Sequence, residues 1–216
     1  MADYLLNALV TLFVTLDPIG LAPIFVGLTR GMPPAVRRDT AVRASAIAAI
    51  ILIAFALVGQ GLLTFLGISL PAFRIAGGLL LFWIAFEMVF ERRNRRKQAS
   101  ADRIIDEDAP TSEDMRHLAV FPLAIPLISG PGAISATILI ASTAQGVLAM
   151  IGLIAIILLL IGSCLAVFLL AGPLDRALGD TGRAVLTRLL GVLLAALAVQ
   201  FVADGVIAIV RVSFGP

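Results

Sequence analysis

Residues 117–174 read HLAVFPLAIPLISGPGAISATILIASTAQGVLAMIGLIAIILLLIGSCLAVFLLAGPL, without one Asp, Glu, Lys or Arg. About 20 apolar residues in a helix cross the hydrocarbon core of a bilayer. This stretch is too long for one crossing, and the cluster Ser142-Thr143-Ala144-Gln145-Gly146 is where it turns. It therefore predicts two membrane helices, near residues 118–143 and 147–170.

Working outward, the same criterion finds further spans near residues 4–29, 44–66, 71–90 and 185–210, which makes six. The whole chain agrees: 60% of its residues are hydrophobic, 14% are charged and the mean hydropathy is +1.08. Those values lie outside the range of soluble globular domains. The expected fold is an all-α membrane protein whose main partner is the lipid bilayer. The lone Cys164 lies within a span and has no second cysteine to bridge to.

Basic residues in short loops set orientation, because they stay on the cytoplasmic side. Arg30, Arg37, Arg38 and Arg43 collect on one face of the membrane with the cluster Arg92-Arg93-Asn94-Arg95-Arg96-Lys97, and Arg176 and Arg183 join them. The other face keeps Arg74 and Arg211. This predicts a multi-pass protein of the bacterial inner membrane with both termini periplasmic and the charged central loop cytoplasmic. The pI of about 9.3 then reflects topology, and no nucleic-acid partner is expected.

Two landmarks recur at nearly one offset. Asp17-Pro18-Ile19-Gly20 in span one matches Ser129-Gly130-Pro131-Gly132 in span four, 113 positions on (131 − 18). Arg74 followed by Gly77 in span three matches Arg188 followed by Gly191 in span six, 114 positions on (188 − 74). Each half holds three spans, an odd number, so the second half enters the membrane from the opposite side. The expected organisation is two inverted three-helix repeats, residues 1–90 and 117–216, joined by a charged linker at 91–116.

Proline lacks an amide hydrogen and crowds the preceding turn. Pro18 and Pro23 around Gly20, and Pro122, Pro126 and Pro131 around Ser129, Gly130 and Gly132, therefore predict breaks in spans one and four. Backbone groups freed in hydrocarbon persist only where protein or water covers them, so the two breaks should face each other or a cavity. Half-helix ends suit a zwitterion: amides and the positive dipole end for a carboxylate, carbonyls for an ammonium or Na+. Ser129, Ser135 and Thr137 add hydroxyls. Asp17, at the first break, is a candidate ion carrier as well as a cap for the half-helix that follows. Arg74 and Arg188 are candidates for gating, or they extend toward an interface. Glu87, beside Glu91 and Arg92, is expected at the interface. No His and Cys cluster, acid pair or phosphate-binding loop suggests an enzyme, a metal site or a resident cofactor.

The strings Leu16-Asp17-Pro18-Ile19-Gly20-Leu21-Ala22-Pro23-Ile24-Phe25 and Pro126-Leu127-Ile128-Ser129-Gly130-Pro131-Gly132-Ala133-Ile134 resemble the MarC family of membrane proteins. The likeness extends over essentially the whole chain. MarC-like proteins are grouped with LysE-type exporters, and some are described as transporters of small neutral amino acids such as alanine and glycine. The resemblance implies such transport for this chain, with Asp17, Pro18, Gly20 and Pro23, and Ser129, Gly130, Pro131 and Gly132, at the matching positions.

The resulting expectation is a secondary transporter, an exporter of a small neutral amino acid, working by alternating access around a midplane site. The residues leave open whether H+ or Na+ is coupled. The competing expectations are a membrane scaffold whose breaks serve only packing, and a small ion channel. The small-residue face at Gly77-Gly78 allows a homodimer.

Overall fold

In the computed structural model, residues 1–29, 32–90 and 119–214 are described, and all regular structure among them is helical. Helix α1 (Ala2–Leu16) and helix α2 (Pro18–Leu28) form one interrupted span. The long helices α3 (Pro34–Phe65) and α4 (Leu70–Val89) follow. A π-helix (Ala119–Ile128) and helix α5 (Pro131–Ala141) make a second interrupted segment, and α6 (Val147–Leu169) and α7 (Ala171–Phe214) complete the chain. Five spans are long and apolar enough to cross a membrane, counting α1 and α2 as one; α5 is a shorter apolar helix. The linker at 91–116, with its basic cluster, lies outside the described residues.

Several boundaries differ from expectation for physical reasons. Helix α3 begins ten residues earlier than the apolar run, because Pro33-Pro34 places a proline at the first helical position, where its missing amide costs nothing. Arg37, Arg38 and Arg43 are thus helical rather than in a loop. Similarly, the expected loop before span six is helix: α6 ends at Leu169 and α7 starts at Ala171.

The interrupted segments sit innermost. The α1–α2 span is 67% buried, against 22–39% for the four continuous spans. In α5, Gly132, Ala133 and every residue from Ser135 to Ala141 are buried. The continuous helices turn large apolar side chains outward, among them Ile50, Leu57, Trp83, Leu159 and Leu193, as lipid-facing helices do. Helix α3 packs against the π-helix and α5, α6 packs against α1 and α2, and α4 packs along α7.

Glycines permit the α4–α7 approach. A Cβ on Gly205 would come within 2.8 Å of the Pro71 carbonyl oxygen, and one on Gly78 within 2.8 Å of the Ala198 oxygen. Gly191 stands opposite Ala85 and Met88, so the two helices run antiparallel along their length. Gly77 faces Leu139 and Ser135 of α5. The Gly77-Gly78 face proposed for a homodimer is therefore occupied inside the chain.

Candidate functional site

Asp17 alone separates α1 from α2. Its backbone is left-handed (φ 56°, ψ 61°), the only such non-glycine among the described residues. Its amide donates to the Phe13 carbonyl at 2.9 Å and closes α1, while its carbonyl accepts from the Leu21 amide at 3.2 Å and opens α2. The side chain adds a cap, Oδ1 accepting from the Gly20 amide at 3.1 Å. A proline at the next position disfavours the right-handed helical region for Asp17, and aspartate tolerates the left-handed alternative. Gly20 is needed because a Cβ there would overlap the Asp17 carboxylate. Asp17, Pro18 and Gly20 are all buried.

The expected role of Pro23 is corrected. It lies inside α2, which continues past it to Leu28. The break is thus one residue wide rather than a loosened stretch from Pro18 to Pro23, because the chain reverses its dihedrals at Asp17 alone.

The second break is built differently. The π-helix ends with the Ser129 amide donating to the Ala124 carbonyl, five residues back, at 2.9 Å. Gly130 is then extended (φ −68°, ψ 167°) and Pro131 opens α5. The wide helix includes Pro122 and Pro126, whose missing amides interrupt an ordinary α ladder. Ser129 is buried and its hydroxyl donates to the Ala48 carbonyl of α3 at 3.4 Å. No side chain caps α5. Gly130 is half-buried and Pro131 is exposed, so this break opens to the surroundings where the first does not.

The two breaks adjoin. A Cβ on Gly132 would lie 3.6 Å from the Thr15 methyl and would overlap the end of Ile84. The last turn of α1 and the first turn of α5 are therefore in contact, with Ile84 of α4 over them. Ser135 is buried one turn further on, and the Thr137 hydroxyl donates to the Ala133 carbonyl at 2.7 Å.

Arg74 and Arg188 are not on the broken segments. Arg74 is half-buried at the start of α4 against Gly205, and Arg188 is exposed on α7. Glu87 corrects its expected interfacial position: it is 5% exposed, and its Oε1 accepts from the Trp83 indole at 3.2 Å. Among the described residues no three His, Cys, Asp or Glu side chains gather as a metal site would need.

Some contributors escaped the sequence reading. Helix α3 presents Ala41, Ala44, Ser45, Ala48, Leu52 and Ala56 inward. The three- and four-residue spacing of small residues was the available signal. Beyond the site, Phe25 of α2 stacks on Phe168 of α6 with centroids 4.5 Å apart. The Arg37 guanidinium lies 5.3 Å from the Phe25 ring.

The MarC family, described as a family of integral membrane proteins, matches residues 2–210. The UPF0056 membrane protein MJ1677 of Methanocaldococcus jannaschii is 37% identical over 94% of this chain and 96% of its own. YhcE of Escherichia coli, likewise named a UPF0056 membrane protein, is 35% identical over 90% of this chain and 88% of its own. A Pyrococcus abyssi protein, PYRAB13050, is 36% identical over 91% of both chains. No solved structure matches the chain.

Proposed function

The chain belongs to the MarC family of integral membrane proteins, and from that premise we propose that it is a secondary transporter of small neutral amino acids such as alanine or glycine. The observation that carries this reading is the unequal capping of two adjoining half-helices. Helix α2 has its N-terminus occupied by its own carboxylate, Asp17. Helix α5 has Gly130 at the equivalent place, which brings no side chain, and its first-turn amides at Gly132 and Ala133 meet no side-chain cap. A helix N-terminus favours an anion. A substrate carboxylate takes at α5 the place that Asp17 takes at α2.

The crowding of Gly132 by Thr15 and Ile84 favours a small ligand. The hydroxyls of Ser129 and Ser135 and the carbonyls freed by the π-helix are the partners for an ammonium. Asp17 supplies the carboxylate for an H+ or Na+, Pro18 and Pro131 open the two half-helices at the breaks, and Pro23 lines α2 one turn further on. Arg74 and Arg188, on the flanking pair α4 and α7, are the gating candidates.

Alternating access follows from an inverted repeat, and several features support one. Helices α2 and α5 each have 11 residues and begin on a proline. Their partners also correspond, α6 lying against α1 and α2 as α3 lies against the π-helix and α5. In this reading the protein sits in the inner membrane with both termini periplasmic and moves substrate outward.

The test is flux of labelled alanine in proteoliposomes under an imposed H+ or Na+ gradient. Gradient-dependent, saturable flux is expected, and Asp17→Asn is expected to abolish the ion dependence. Absence of flux for alanine, glycine and serine under either gradient would end the proposal.

A further inference from the structure

Helices α1 and α5 meet along a seam, and its two ends are fixed by contacts. At one end the Tyr4 hydroxyl donates to the Ile140 carbonyl at 3.4 Å. At the other, Thr15 lies against Gly132 beside the uncapped end of α5. The helices therefore run antiparallel over about 16 Å, eleven residues of α1 at helical rise. At about 100° per residue, Tyr4, Thr11 and Thr15 fall within about 40° of one another around α1. Thr11 thus lies on the seam between the two contacts, on the same stretch as the buried Ala136 of α5.

The seam is more polar than packing requires. Thr11 and Thr15 are 0% and 2% exposed. The Thr11 hydroxyl donates to Asn7 Oδ1 at 2.9 Å, and the Thr15 hydroxyl donates to the Thr11 carbonyl at 2.5 Å. Asn7 is exposed, so a ladder of polar groups runs from the surface to the break. Valine has the shape of threonine without the hydroxyl, and hydroxyls bonded back to the preceding turn slightly destabilise a helix. Packing alone does not require a hydroxyl at either position. On α2 and the π-helix, by comparison, Leu21, Leu28, Leu123 and Leu127 are buried.

We infer that the α1–α5 seam is the hydrated route between the site and the membrane face on which the chain begins, lined by Thr11 and Thr15 and closed by Tyr4. This rests on the transporter reading for its purpose, but not for its detection. Each hydroxyl offers a donor and acceptors to passing water or to a zwitterion. Parting of α1 from α5 at that end breaks the Tyr4 hydrogen bond and exposes the ladder.

The test is reaction of Thr11→Cys with a membrane-impermeant maleimide, in a Cys164→Ser background in proteoliposomes, with Leu52→Cys as an equally buried control off the seam. Thr11→Cys is expected to react faster than the control. Adding Tyr4→Phe is expected to speed it a further twofold or so, less than a full hydrogen bond would bring, because the Tyr4 contact is long and the Ile140 carbonyl also accepts from the Thr143 hydroxyl at 2.8 Å. If Thr11→Cys fails to fold, Ala136→Cys reports from the other wall. Labelling no faster than Leu52→Cys at both positions overturns the seam even if alanine flux is normal. Labelling without flux of any small amino acid keeps the seam and ends the transporter reading instead. Where flux exists, Thr11→Val is expected to reduce it and Thr11→Ser to restore it, whereas a purely structural threonine would tolerate valine.

Discussion

Asp17 performs two jobs that substitutions separate. It holds a left-handed backbone and caps α2 through Gly20, and it places a carboxylate at a buried break. Asparagine caps helices as well as aspartate and also tolerates the left-handed region, so Asp17→Asn is expected to change stability by less than about 0.5 kcal/mol. Asp17→Ala loses the cap and strains the backbone, together about 2 kcal/mol. Gly20→Ala must push the carboxylate off its amide and is expected to cost at least the cap, about 1 kcal/mol. Thermal unfolding in detergent separates the three. Equal melting temperatures for Asp17→Asn and Asp17→Ala would show that the cap contributes nothing. The sequence made this residue legible because an aspartate before a proline in an apolar run has few alternatives. Glu87 was not legible: its neighbours Glu91 and Arg92 suggested an interface, but the Trp83 indole lies one helical turn away and shares its burial.

Between elements, the helix seams depend on whether a backbone lies where a side chain would grow. The α4–α7 pair places the Ala198 oxygen and the Val202 amide nitrogen, at 2.8 and 3.1 Å, around the space a Cβ on Gly78 would fill. Backbone atoms do not swing aside as side-chain ends do, so Gly78→Ala is expected to cost about 1–3 kcal/mol through overpacking. Gly162 in α6 has nothing within 4 Å of the same position. There alanine is expected to be neutral or to stabilise by up to about 1 kcal/mol, through helix propensity. Chemical unfolding of the two variants side by side checks this, and similar losses for both would remove the seam explanation. The glycines were visible in the sequence, but their partners were not. Gly77 and Gly78 looked like an outer dimer face because a small residue reads the same whether the helix it admits belongs to this chain or to another.

For the whole molecule, hydropathy found the spans and said nothing of their arrangement. The α1–α2 span and the α7 span have mean hydropathies of 2.0 and 2.3, yet they are 67% and 22% buried. Lipid and protein interior are both apolar, so periodicity does not separate them. What marked the centre was the departure from regular helix, at Asp17 and at Ser129-Gly130, since freed backbone groups must be sheltered. The ties at the two ends of the site follow the same logic and lead to opposed outcomes. On one side Tyr4 joins α1 to α5. On the other, Arg37 of α3 over Phe25 of α2, itself stacked on Phe168 of α6, joins three helices near their ends. A cation–π contact is worth about 0.5–2 kcal/mol, so Arg37→Gln is expected to shift the population open on the Arg37 side about two- to thirtyfold. Phe168→Leu, which keeps apolar volume but loses the stack, is expected to act in the same direction. With Ser129→Cys as reporter in a Cys164→Ser background, both variants should speed maleimide labelling from the Arg37 face, and Tyr4→Phe should speed it only from the opposite face. Acceleration from both faces by a single variant would mean general loosening rather than gating. Under the proposed alternating access, opening one tie must leave the other closed.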